Sequence, residues 1–286
     1  MYTLDMDTYS GIIQLLPIDS INQLRVTTST NSQQLNTLRN SDNFWKLRLQ
    51  KFLDIQITRI PTVQTWHQLY IKITSGDLNL SKKLITFALT GDVQVVRLLV
   101  DAGADVTAYD NISIHMASSN GHSQVVRLLL KAGADVFAEE NSAIRYASRS
   151  GHPEVVQVLL EAGANVTAEN NEAIRYASRC GYVEVVQLLL NAGADITADH
   201  NQAIRYASRN GYIKVVQLLR KAGADITAED NFAIRAASRK GHSQIVKLLI
   251  QAGADVTAKN NEALRRASKN GYIQIVRLLH DAGATL

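Results

Sequence analysis

Gly91, Gly121, Gly151, Gly181, Gly211, Gly241 and Gly271 stand at a strict spacing of 30 residues, without one insertion or deletion between them. A chain that repeats itself at such a period folds as a stacked array, because each unit is one supersecondary element that buries its apolar face only against its neighbours. The clearest copy, NEAIRYASRCGYVEVVQLLLNAGADITADHN at residues 171–201, shows what one unit must be.

Before Gly181, helical spacing gathers Ile174, Ala177 and Ser178 on one face and leaves Arg175, Tyr176 and Arg179 on the other. Asn171, matched by Asn111, Asn141, Asn201, Asn231 and Asn261, sits three residues before the first buried aliphatic. That is the place for an N-cap whose side-chain oxygen accepts an orphan N–H. After Gly181, Val185, Val186, Leu188, Leu189 and Leu190 leave only Glu184, Gln187 and Asn191 as a polar stripe, so the second helix is expected to be mostly buried. Gly193 follows where a left-handed residue closes a helix, and Pro153 falls in the first turn of an equivalent helix. The unit reads as helix, tight turn, helix, short loop.

These residues carry a resemblance. GYVEVVQLLLNAGADITA and GHSQVVRLLLKAGADVFA resemble the second helix and exit loop of ankyrin repeats, over about 200 residues in seven copies. The resemblance implies an all-α, ankyrin-type α-solenoid of about seven helix-turn-helix repeats at residues 81–286. Between Ala168 and Ile174 the chain has only ENNEA, three residues short of the usual period of about 33. The expected T-P-L-H is replaced by forms such as Glu172-Ala173-Ile174-Arg175, so the β-fingers are expected to be shortened. Such regular 30-residue arrays also resemble the ankyrin proteins of giant DNA viruses of amoebae.

The N-terminal residues differ in texture. Residues 1–56 have aliphatics at Ile12, Ile13, Leu15, Leu16, Ile21 and Leu24, a polar stretch from Thr27 to Gln34, and the aromatic pair Phe44-Trp45. This arrangement resembles an F-box. The resemblance implies that Leu16, Ile21, Leu24 and Trp45 lie where a Skp1-type linker would be engaged, which would make the protein an adaptor of a cullin-type ubiquitin ligase. The other reading of the same side chains is a helical cap that shields the first repeat, as repeat arrays require. Residues 57–80, with Trp66, Leu69 and Tyr70, read as a connecting amphipathic helix. Repeat one, from Ser81, has Leu84, Ile85, Phe87 and Leu89 in its first helix, as a junction demands.

The regularity that structure does not require is a double basic ladder. Arg145, Arg175, Arg205, Arg235 and Arg265 hold one register. Arg149, Arg179, Arg209, Arg239 and Lys269 hold another four residues later, expected on the same exposed face, with Tyr146, Tyr176 and Tyr206 beside them in cation–π reach. The ankyrin resemblance implies that first helices line an inner, concave surface and that the Arg149 register corresponds to partner-contacting positions. Two readings stand: a protein partner with an acidic surface, or a ladder neutralised internally by Glu172, Glu262 and the loop acids Glu139, Glu140, Glu169 and Glu229.

A net charge of +4 is small for a phosphate-tracking groove, which argues against nucleic acid. His122, His152 and His242 alternate with Tyr182, Tyr212 and Tyr272 at one position, which calls for a packing ring rather than a ligand set. No catalytic constellation, metal spacing or phosphate loop is found, so neither an enzyme nor a cofactor is expected. The single Cys180, the acidic start and the lack of a long apolar run point to an intracellular protein in a reducing compartment, with no membrane partner.

Overall fold

The computed structural model describes residues 79–285. The readings that fall on Leu16, Ile21, Leu24, Trp45 and the connecting helix lie outside the described residues. Fourteen helices and no strand occur among those described. In chain order they are α1 (Leu80–Thr90) and α2 (Val93–Asp101), then the packed pairs α3 (Ala108–Ser119) with α4 (Ser123–Lys131) and α5 (Ala138–Ser150) with α6 (Pro153–Glu161). There follow α7 (Ala168–Cys180) with α8 (Val183–Asn191), α9 (Ala198–Asn210) with α10 (Ile213–Lys221), α11 (Ala228–Lys240) with α12 (Ser243–Gln251), and α13 (Ala258–Lys269) with α14 (Ile273–Asp281).

The described residues fall in two compact units, one of 79–87 with 92–106 and one of 88–91 with 107–285. In the first, the Ser81 hydroxyl accepts from the Asp105 N–H (3.1 Å) and the Asp92 carboxylate caps α2 at the Val95 N–H (3.2 Å). In the second, each first helix from α3 to α13 packs on the next, and each second helix from α4 to α14 does the same. This is an α-solenoid, with its core in the strip between the two rows. Ile174, Ala177, Val186 and Leu189 are fully buried, as are their equivalents one period away on either side.

The dividing glycine is required twice over. Gly181 adopts φ +84°, and a Cβ there would come within 2.4 Å of the Tyr212 ring of the next repeat. The ring at the start of each second helix from α4 to α14 is therefore a plug seated on the dividing glycine of the preceding repeat. His plays the same part at Gly121, against His152, and at Gly211, against His242.

Asn171 does not cap its own helix. Glu169, Asn170 and Asn171 have φ of 49°, 53° and 59°, one turn of left-handed backbone ahead of the right-handed helix, and the same turn recurs from Tyr109–Asn111 to Lys259–Asn261. Its Oδ1 accepts instead from the Asp195 N–H (2.7 Å), 24 residues on, and Asn111, Asn141, Asn201 and Asn231 make the equivalent bond. The buried asparagine ties the exit loop to the start of the unit it leaves. The loop itself is shaped by Asp195, whose Oδ1 accepts from the Thr197 N–H (2.8 Å) and hydroxyl (2.7 Å). The same hydroxyl and N–H of Thr257 hold the Asp255 carboxyl below its ordinary value. In place of a β-finger the chain has this Asx turn followed by the left-handed turn.

Candidate functional site

A left-handed turn costs about 1–2 kcal/mol per residue for side-chain-bearing residues, and it turns carbonyls away from helix N–H donors. In the third to seventh units the first arginine answers that need. Arg175 donates from Nε to the Asn170 carbonyl (2.9 Å) and from Nη2 to the Glu169 carbonyl (3.1 Å). Arg145 does the same to Glu140 and Glu139, and Arg235 to Asp230 and Glu229. Arg205 and Arg265 keep one such bond each, to Asp199 (2.9 Å) and Lys259 (3.1 Å).

The remaining edge of the guanidinium reaches the next repeat, 27 residues on. Arg145 pairs with Glu172 and Arg235 with Glu262, while Arg175 donates to the side-chain amide oxygen Oε1 of Gln202 (3.0 Å) and lies 3.4 Å from the Asp199 carboxylate. Arg205 has no polar partner at that position and lies over the Phe232 ring, 5.5 Å from its centre. Glu262 shows the balance of forces. Its partial burial opposes ionisation, but the Arg235 hydrogen bond and charge, with Arg266, outweigh it and hold the carboxyl below its ordinary value.

The inner register of Arg145, Arg175, Arg205 and Arg235 therefore does not share the open face expected of it. The side chains of Arg145 and Arg175 are only 17% exposed and that of Arg235 16%. Arg265, in the last repeat, is the member of this register that is exposed. Of the acids expected to neutralise the ladder, Glu172 and Glu262 do so by ion pairs. Glu139, Glu140, Glu169 and Glu229 serve through their backbone carbonyls. Repeat two has His115 in this register, buried; burial pushes its imidazole below the ordinary value, Arg145 adding to this against the opposing charges of Glu139 and Asp110.

The outer register has a different environment. Arg149, Arg179 and Lys269 are exposed and Arg209 and Arg239 half-buried, and among the described residues none of the five is in an ion pair. Aromatic faces hold several of them in place. Arg149 lies over Tyr176 (5.0 Å) and Arg179 over Tyr206 (5.5 Å), both in the following repeat, while Arg209 covers Tyr206 from its own repeat (5.8 Å). Arg145 approaches the exposed Tyr146 (6.0 Å). Each contact of this kind is worth about 0.5–1 kcal/mol at an exposed site, and it orients the guanidinium without neutralising it.

The backbone beneath this register carries a second device that sequence reading missed. The last-turn carbonyl of five first helices (α1, α3, α7, α9 and α11) accepts from the following repeat, from His Nε2 33 residues on or from Asn Nδ2 31 residues on. His122 bonds Leu89 O (3.0 Å), His152 Ser119 O (3.0 Å) and His242 Arg209 O (3.1 Å). Where the plug is tyrosine, Asn210 bonds Arg179 O (2.7 Å) and Asn270 bonds Arg239 O (2.9 Å). The repeat after Arg149 has Tyr182 and Cys180 and supplies neither donor. The alternation of His with Asn at these two positions is visible in the sequence once the shared carbonyl is known.

Among the described residues no group of three or more His, Cys, Asp or Glu side chains could hold a metal ion, and no helix is long and apolar enough to cross a membrane. The fold and the ordered surface on its first helices define a helical repeat protein of the scaffold class. A family model for ankyrin repeats (3 copies) matches residues 68–140, 83–170, 114–200, 144–230 and 204–286, together most of the chain. The chain belongs to the ankyrin repeat family, and its array is a protein–protein interaction scaffold. A comparison with curated proteins finds no match.

Proposed function

We propose that the array holds an acidic protein partner along Arg149, Arg179, Arg209, Arg239 and Lys269, with Tyr146, Tyr176 and Tyr206 beside them. The asymmetry of pairing carries this reading. The inner guanidiniums are occupied by turn carbonyls and by Glu172, Gln202, Phe232 and Glu262, whereas the outer ones carry charge with no carboxylate against it among the described residues. Arg145, Arg175, Arg205, Arg235 and Arg265 then support the face rather than meet the partner. Repulsion along the outer row is only about 0.4 kcal/mol per neighbouring pair in water at ~10 Å, so the row stays folded when free and gains when an anion covers it.

The test is replacement of Arg149, Arg179, Arg209 and Arg239 together by Glu, followed by affinity purification from host cells with mass spectrometry. Helicity should be unchanged and the partner lost. A partner retained by the variant, with binding indifferent to salt, overturns the reading.

The sequence of residues 1–56 favours a second role alongside the first, that of an adaptor. Leu16, Ile21, Leu24 and Trp45 would engage a Skp1-type linker while the array presents its target to a cullin-type ubiquitin ligase inside the cell. The gap-free 30-residue period, resembling that of giant-virus ankyrin proteins, supports a host protein as that target. Skp1-type and cullin subunits should co-purify with the full chain and vanish when residues 1–56 are deleted. Aggregation of the truncated chain, with no such subunits bound to the full one, supports the capping alternative.

A further inference from the structure

The outer register is a ruler as well as a charge. Arg179 and Arg209 flank one ring, Tyr206, at 5.5 and 5.8 Å, so their guanidinium carbons are no further apart than the sum of those distances. Packed neighbouring helices are ~8–10 Å apart, and the gap-free period repeats that step down the row. A ligand that meets successive rungs must offer one carboxylate per step, all on one side.

Extended peptides differ in how well they meet this condition. In a β-strand, every third residue is ~10 Å along the chain but points to the opposite face, and every second is only ~7 Å away. A polyproline II helix has three residues per turn at ~3.1 Å each, so every third side chain lies on one face ~9 Å from the last. Its backbone makes no internal hydrogen bonds and presents free carbonyls. The face offers donors beside the rungs: the hydroxyls of Tyr146 and Tyr176 and the ammonium of exposed Lys240.

We propose that the outer register reads an acidic segment in the polyproline II conformation with a carboxylate at every third residue. The five rungs from Arg149 to Lys269 span about fifteen residues of such a segment. The inference rests on the outer register being the partner-binding face, and it adds conformation and spacing to charge.

The test uses the full chain and fluorescence anisotropy with labelled peptides of about fifteen residues. One has Glu at every third position in a proline-rich background. A second has the same composition with Glu gathered at one end, and a third is an alanine-rich helix with Glu at every seventh position. The periodic peptide should bind most tightly, of the order of tenfold over the gathered one, and Arg179→Glu with Arg209→Glu should remove that preference. Equal binding of the first two, or tighter binding of the helix, overturns the spacing while leaving an acidic partner in place. Binding of none of the three at low salt, by protein of unchanged circular dichroism, overturns both. Tighter binding of a single-stranded oligonucleotide of equal charge overturns both in favour of a phosphate ligand.

Discussion

The two ends of each first helix from α5 to α11 hold the same side chain in opposite surroundings. At the N-terminal end, Arg175 is half-buried, bonded to Asn170 O, Glu169 O and Gln202, and holds a strained turn together. One helical turn later, Arg179 is exposed, lies against the Tyr206 ring and has no carboxylate within ion-pair distance among the described residues. Both are repeated through the array at the same period. Periodicity alone therefore does not distinguish a structural ladder from a binding one; what separates them is whether the donors are already used.

The largest effect should come from the turn that needs the inner arginine. Asn201→Ala removes both the buried Oδ1 that accepts from the Asp225 N–H (2.9 Å) and a residue type that tolerates φ +59°. A loss of about 2–4 kcal/mol is expected from the combined effects, measured by urea denaturation. A loss below about 1 kcal/mol would mean that the left-handed turn is not a load on the fold.

Next comes the direct comparison. Arg175→Ala leaves two turn carbonyls without their side-chain donor and should cost about 1.5–3 kcal/mol, as for hydrogen bonds from a charged donor. Arg179→Ala should stay within about 0.5–1 kcal/mol, since it loses only an exposed aromatic contact. Equal losses at the two sites would erase the distinction between registers.

A gain is expected where the outer end is incomplete. Cys180→Asn places an Nδ2 donor where Asn210 and Asn270 have theirs, opposite the Arg149 carbonyl, and should stabilise by about 0.5–1.5 kcal/mol. Hydrogen exchange at the junction of α5 with α7 should slow in the variant. No change there would show that the carbonyl bond contributes nothing to the stacking.

The smallest effect is on pH. Glu262 has its folded pKa below the ordinary 4.5, so its pairing with Arg235 contributes stability that is complete above that value and is lost as pH falls through the lowered one. Glu262→Gln should flatten the fall of stability in this acid range by lowering stability slightly at neutral pH, so that variant and parent converge in acid. An acid limb left unchanged by that substitution would show that other carboxylates govern it.

Much of this molecule was legible in the sequence because its determinants are local. Helical spacing put Ile174, Ala177, Val186 and Leu189 in the core, the glycine at the turn marked the boundary, and the 30-residue period specified the stack. The cap assigned to Asn171 was misplaced for a physical reason. An asparagine ahead of a helix is equally suited to capping and to left-handed backbone, and only the loop 24 residues away, whose Asp195 N–H takes the Asn171 Oδ1 as its acceptor, decides between them.

The sequence by itself determined that a double row of basic residues runs along the first helices; the tertiary structure alone decided that the two rows differ. Arg175 and Arg179 are four residues apart and identical in type, so no local rule separates them. Their partners lie outside any local window, in a turn of reversed hand and in the repeat beyond, at Gln202 and at Tyr206. Whether a guanidinium is consumed or available depends on carbonyls and rings that stacking brings within reach.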